Sequence, residues 1–558
     1  MKQGRTIKII LLALSLLVIA SLAAVACGSS ETTTTTSTTS PTSSTTTSAT
    51  STTASSTATT TTTTTSSPTS AVKTGGTLKV GLNQDYPTIG NPASQQYSSG
   101  MPLTDVCLEG LMVLNSEGKP QPWLATDWSF DDTNTVLTIN LRDGVMFHDG
   151  TPFNAEAAKW NLDQVILAKK AELKSVTSVD VVDNDTIQLN LSEPDGLLTV
   201  YLGAMRGIMQ SPTAFENSAS TQEQRVAWAE SNPVGTGPFK FVNWKHEVSI
   251  TFEKNEDYWQ EGQPYLDKIE FTIIVNEATL LAAFKAGDFD LMLTQQPQNA
   301  KDLENIGGYK FQLSDVDTIG GLAGDSAHPD SPWSNILVRQ AAAYAIDNET
   351  FADTIGFGYW KATNQFDVPD RWGYNPNVVG YPYNPEKAKQ LLVEAGYPDG
   401  FDTTIYGMSH YTTMLASIQG YLAEVGINAK SEIVTPAERV QMFAVKGWEG
   451  VWIWECTVSP TTLVNMGRNF TTAAAPTRSI SVDWPADFTS LVDKAITATD
   501  FDTQQEMTWE IQKKLVDEYA LITFIFARYT PIPMQMYLHD AFDDVSLHWT
   551  PAKTWLDK

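Results

Sequence analysis

The run Val451-Trp452-Ile453-Trp454-Glu455-Cys456 sets one carboxylate beside two indoles in an otherwise apolar stretch. A buried carboxylate needs a cationic or hydrogen-donating partner, or it neutralises. A cation held between Glu455 and the face of Trp452 or Trp454 would gain from both the charge and the ring. That is binding chemistry, and patterns for catalysis or metal are poorer. His148-Asp149 could form a dyad, but no partner cluster accompanies it and the run His148-Asp149-Gly150-Thr151-Pro152 reads as a turn. The six histidines contain no i,i+4 pair and no H-E-x-x-H. Cys27, Cys107 and Cys456 form no C-x-x-C, which excludes a disulfide-dense scaffold and disfavours structural zinc. Gly235-x-Gly237 lacks the strand–G-x-G-x-x-G–helix context of a dinucleotide site. The expectation is therefore a non-enzyme with no cofactor and no resident metal.

The elements that would position these residues alternate between two periods. Thr77–Leu82, Thr135–Arg142 and Thr186–Leu191 alternate apolar and polar residues, as half-buried strands do. Asp143-Gly144 and Asn184-Asp185 punctuate hairpins. Helices are predicted over 155 onward with Asn154 as cap, over 278–287, over 337–346, over 385–395 between Asn384 and Gly396, and over 411–425. Strands read at 289–292, 402–406 and 427–433 lie between them. Helices and strands alternating at this spacing mean α/β with a mixed sheet.

Charge and the N-terminus bound the setting. The chain has 558 residues, with 36 Lys and Arg against 64 Asp and Glu, a formal charge of −28. Phosphate binding needs clustered bases, so nucleic acid is excluded as a partner. Residues 1–26 begin with Lys2, Arg5 and Lys8, continue through an apolar run from Ile9 to Ala20 and end in small residues before Cys27. That is a secretory signal, too short in its apolar part for a stable span. From Gly28 to Ser70 the chain is almost only Thr and Ser, a composition without a core, so 27–72 reads as a solvated tether.

Five segments carry a resemblance. They are Pro122–Trp128 with Leu141–Pro152; Asn232–Phe239; Lys254–Trp259 with Pro264–Asp267 and Ala286–Asp290; Val338–Ala341 with Ala345–Asp347; and Tyr383–Ala388 with Leu391-Leu392 and Glu394–Tyr397. In this order, from about residue 76 to about 540, the chain resembles the extracellular solute-binding proteins of family 5, the peptide, oligopeptide and nickel receptors of ABC importers. Ala24-Val25-Ala26-Cys27 likewise resembles a bacterial lipobox, which implies lipid on Cys27. The resemblance implies a two-lobed periplasmic-binding-protein-like α/β fold, with a hinge of crossing strands and an extra subdomain in the first lobe. Lobe one maps to 73–274 plus 525–558 and lobe two to 275–524, with Ile269–Ile274 and Leu521–Phe526 as crossing strands.

In oligopeptide-binding relatives a Trp-x-x-Asp stretch supplies the carboxylate that pairs with the peptide amino group. Trp452-Ile453-Trp454-Glu455 is similar, with Glu for Asp. Trp360, His410-Tyr411 and Tyr86 fall at loop and strand ends that face the cleft in such proteins. Arg468 could pair with a ligand carboxylate, but Asn465–Asn469 reads as a polar loop and Arg468 as solvated. His410 alone stands near a cleft edge, which disfavours nickel. The functional expectation is a monomeric, lipid-anchored receptor on the extracytoplasmic face of a bacterial membrane. It would capture a peptide or similar small solute and deliver it to ABC permease subunits with cytoplasmic ATPases. The alternatives are a carboxylate-based extracellular hydrolase, a solute sensor or a nickel-complex receptor.

Overall fold

The computed structural model describes residues 72–94, 101–294, 296–369, 371–458, 461–542 and 549–558. The expected leader, the tether up to residue 71 and Cys27 lie outside them. Strand alternation builds the first sheet. In Lys268–Ile273 every second residue, Ile269, Phe271 and Ile273, is buried. This strand pairs in parallel with Thr77–Leu82 and antiparallel with Ser249–Lys254. The complete order of the seven strands is Phe239–Lys245, Ser249–Lys254, Lys268–Ile273, Thr77–Leu82, Leu291–Leu293, Pro531–Gln535 and Tyr309–Leu313.

A second sheet has six strands in the order Lys361–Ala362, Ile522–Arg528, Thr318–Gly324, Val451–Thr457, Phe401–Gly407 and Ile427–Ile433. Helices cover both of its faces, so its middle strands are nearly continuous apolar runs. A third, antiparallel sheet of four strands contains the hairpin across Asn184-Asp185. Helix Ala155–Leu167 packs on it, and the Asn154 side chain accepts from the Ala157 amide at 3.0 Å. The architecture is mixed α/β, as the alternating pattern implies.

The chain passes between the first and second sheets at two places, 314–317 and 529–530. The lobes implied by the resemblance divide at 274/275 and 524/525. Strand Lys268–Ile273 is an inner strand of the first sheet, and Leu291–Leu293 and Tyr309–Leu313 belong to that sheet as well. Their backbone groups find partners there, Val80 to Leu82 for one and Pro531–Gln535 for the other, so the segment after 274 stays with the first half. The two passages are laced together. Ser314 N–H donates to Thr530 O at 2.9 Å, Thr530 N–H to Ser314 Oγ at 3.0 Å and Asp317 N–H to Arg528 O at 3.2 Å.

The two halves also touch away from these passages. Leu114, Leu197 and Val200 pack into the core cluster of the second sheet and its helices. Gly196 N–H donates to Ile496 O at 3.0 Å, and Gln504 Nε2 donates to Gly196 O at 2.9 Å. Arg468 Nη2 lies 3.3 Å from Glu172 Oε1. Arg468 sits on helix Thr462–Phe470, not in a loop, because Leu463, Val464, Met466 and Phe470 form a buried stripe.

The turn motifs hold each other. His148 N–H donates to Gly235 O at 2.8 Å, and its Nε2–H points to Gly237 O at 2.8 Å. A Cβ on Gly235 or Gly237 would lie 2.2 or 2.7 Å from Cys107 O, so only glycine fits. Burial pushes the imidazole down to about 4, which keeps His148 neutral. At the chain end, strand Trp555–Leu556 pairs with Leu538–His539, and Asp557 meets Lys73 at 2.6 Å. Among the described residues no helix is long and apolar enough to cross a membrane.

Candidate solute-binding site

Strand Val451–Thr457 lies between Thr318–Gly324 and Phe401–Gly407, with Glu455 opposite Gly320 and Trp454 opposite Gly321. Successive side chains point to opposite faces. Trp452 and Trp454 therefore share one face, and Glu455 takes the other. Both indoles are core side chains. Trp454 packs edge-on to Phe366 at 5.2 Å and lies along Phe470 at 6.1 Å, and Trp452 packs edge-on to Phe443 at 5.0 Å. The cation sandwich between Glu455 and an indole is thus not formed, because a two-residue period cannot bring positions 454 and 455 to one face.

Glu455 is instead the centre of a polar group on the opposite face. Its side chain is 11% exposed. Oε2 accepts from Tyr411 OH at 2.6 Å, Arg528 Nη1 stands 3.9 Å away, and Oε1 is buried without a hydrogen-bond partner. Burial raises the carboxyl above its ordinary range, against the opposing pull of Arg528, the Tyr411 hydroxyl and His410. Burial and the Glu455 charge both raise the Tyr411 phenol, so it stays a donor. Arg528 is fixed by Asp317 Oδ1 at 2.9 Å from Nε and by Thr318 Oγ1 at 2.7 Å from Nη2. Thr530 Oγ1 closes the group on Asp317 Oδ2 at 3.1 Å. Burial pulls the guanidinium down, but Asp317 and Glu455 outweigh it and hold the charge.

Glycines shape the floor. A Cβ on Gly320 would lie 2.2 Å from Cζ of Phe526, which crosses the strand on the Glu455 face. Trp360 stacks on that ring at 4.8 Å and 17°. A Cβ on Gly321 would lie 1.9 Å from Thr523 O. Of the residues singled out from sequence, the structure gathers Glu455, Tyr411, His410 and Trp360 on one side of the second sheet, with His410 exposed against the Tyr411 ring at 3.9 Å. Tyr86 packs against the core cluster of the first sheet instead. Arg528, Asp317, Thr318 and Thr530 were missed. The one local sign was a charge closing the apolar run Ile522–Ala527.

This arrangement can hold a charged group and has no nucleophile–base pair. Among the described residues no three His, Cys, Asp or Glu are placed to hold a metal ion. Residues 119–471, more than half of the chain, match the family described as "Bacterial extracellular solute-binding proteins, family 5 Middle". The protein belongs to that family. Its members are solute receptors and not enzymes. The glutathione-binding protein GsiB of Shigella flexneri is 29% identical over 347 residues, which cover 61% of this chain and 66% of that protein. The matched stretch thus falls just short of two thirds of that relative's length. Among solved structures, the ABC transporter-associated periplasmic binding protein DppA of Helicobacter pylori, in complex with peptide STSA, superposes with a TM-score of 0.70 at 23% identity. It covers 87% of this chain and 99% of its own. NikA of Brucella suis, in complex with Fe(III)-EDTA, gives 0.75 at 21% identity, covering 86% and 100%. At these identities the likeness establishes the fold, that of periplasmic binding proteins.

Proposed function

We propose that the protein is a lipid-anchored receptor that closes two lobes on a peptide or similar small solute and delivers it to an ABC permease. Lobe one is built on the first sheet and carries the four-stranded sheet, and lobe two is built on the second. The observation that carries this reading is the position of the Glu455–Arg528–Asp317 group. Asp317 and Thr530 belong to the two passages between the sheets and Arg528 ends the strand that leads into one of them, so a ligand charge bound at Glu455 would act on the hinge itself. Closure follows from differential affinity, because a ligand that touches both lobes only in the closed form shifts the population toward it.

Glu455 Oε1, buried and unpartnered, suits a donor such as a peptide ammonium. The peptide in the Helicobacter neighbour and the peptide class of the glutathione relative agree with that choice. Tyr411 and Arg528 hold the carboxylate in place, and His410, Trp360 and Tyr86 complete the proposed ligand set. Trp452 and Trp454 support it from beneath as core residues.

Native mass spectrometry of freshly purified protein should show a peptide-sized adduct, and scattering profiles should contract when it rebinds. Superimposable profiles of the free and loaded forms across a peptide library would remove the reading. Anchoring is tested separately. Cys27→Ala should release the protein from membranes, and continued extraction only by detergent would contradict lipidation.

A further inference from the structure

A cavity of about 210 Å³ opens within the half built on the first sheet. Its walls come from 105–114, 203–208, 258–263 and the C-terminal stretch 549–553, and no strand of the second sheet reaches it. It is therefore separate from the Glu455 group. Two acids lie in its wall in opposite circumstances. Glu109 is fully provided for, accepting from Trp123 Nε1, Thr236 Oγ1, Tyr258 OH and Trp259 Nε1 at 2.7–2.9 Å. Asp105, four residues earlier, is half-buried and faces the cavity, and burial pushes its carboxyl up to about 7.

Two further polar atoms belong to residues of the same wall. Gln263 Oε1 and Trp549 Nε1 are both buried without a partner. A carboxylate drawn partly out of water into an apolar wall binds a proton or a cation more readily than one in bulk solvent. The remaining wall is largely apolar, with Leu108, Met112, Leu114 and Ile208, and the rings of Trp123, Tyr258 and Trp549 add faces that attract cations.

We propose that this cavity is a second ligand site, taking a small primary ammonium compound with an apolar body, with Asp105 as its counter-ion and Gln263 Oε1 as a further acceptor. The proposal does not rest on lobe closure. The other titratable groups of the wall are Glu109, Tyr258 and Lys553.

The test is calorimetric titration of the purified protein with n-butylammonium chloride, against sodium chloride at equal ionic strength. One saturable site per chain is expected at pH 8. Asp105→Asn should weaken it at least tenfold, the scale of a lost charged hydrogen bond. In the unaltered protein, affinity should fall between pH 8 and pH 6 as Asp105 takes up its proton. Should Asp105→Asn fail to fold, this pH arm and a severalfold loss in Gln263→Leu decide the matter. Absence of saturable heat, equal affinity in Asp105→Asn, or affinity independent of pH from 6 to 8 overturns the proposal. So does loss of binding in Glu455→Gln, which would put the cation at the hinge.

Discussion

Glu455 carries two opposed consequences of one burial. Its folded carboxyl is raised above the unfolded value. Its contribution to stability is therefore full below the ordinary carboxylate range and is lost as pH climbs through the raised value. Glu455→Gln should accordingly unfold at a higher temperature than the parent at pH 7, with the difference vanishing near pH 4. The same substitution should weaken a cationic peptide by about 1–3 kcal/mol, read by titration calorimetry at pH 7. A variant that loses both stability and affinity at neutral pH would point to a plain packing defect.

The two described cysteines give a second prediction at this scale. Cys107 and Cys456 are free, and burial pushes each thiol up to about 12. Alkylation at pH 8 followed by peptide mapping should leave both unmodified in the folded protein and label both in denaturant. Sequence singles out Glu455 because a lone acid in an apolar run is costly unless it is partnered, and in the fold Tyr411 and Arg528 stand beside it. Arg528 and Asp317 were not legible there, since they lie 211 residues apart and only strand register joins them. The two indoles sit beside Glu455 in sequence but not in space, because the two-residue period of the strand turns both to the opposite face.

The strands around the site explain which elements sequence reading could find. Lys268–Ile273 alternates cleanly, yet alternation says nothing about which sheet a strand joins. The crossing points depend on pairings with Leu291–Leu293 and Pro531–Gln535, short runs whose partners are remote. Local signals with local partners fared best, as with Asn384, whose side chain accepts from the Lys387 amide at 3.0 Å to open helix Pro385–Glu394. Thr318–Gly324, the strand between Glu455 and Phe526, contains glycines at 320, 321 and 324, a composition that argues weakly for a strand. Close approach is the reason for them. Gly321→Ala should lower the unfolding free energy by about 1–3 kcal/mol in denaturant titration, because the new methyl meets the Thr523 carbonyl. An unchanged midpoint would mean that the two strands separate more easily than their register implies.

For the whole molecule, contacts between the halves would set the balance between the proposed open and closed forms. Arg468 and Glu172 meet across them, and Arg206 and Arg468 hold the Glu172 carboxyl below its ordinary range although burial opposes this. The bridge is present at neutral pH and is lost as pH falls through that lowered value. Arg468→Ala should weaken solute binding severalfold, mainly through faster release, while the thermal midpoint of the solute-free protein stays within a few degrees. Equal release rates in stopped-flow measurements would assign Arg468 a local role only.

The ion pair between Lys73 and Asp557 brings these two positions, far apart in the sequence, to one place. A linker of a few residues should therefore join them without distortion, and the chain could be cut open elsewhere, for instance in the exposed turn at 327–331. Such a rearranged polypeptide would carry its new ends on the opposite half, so a pair of fluorophores attached there and near residue 557 would report directly on how far the halves travel.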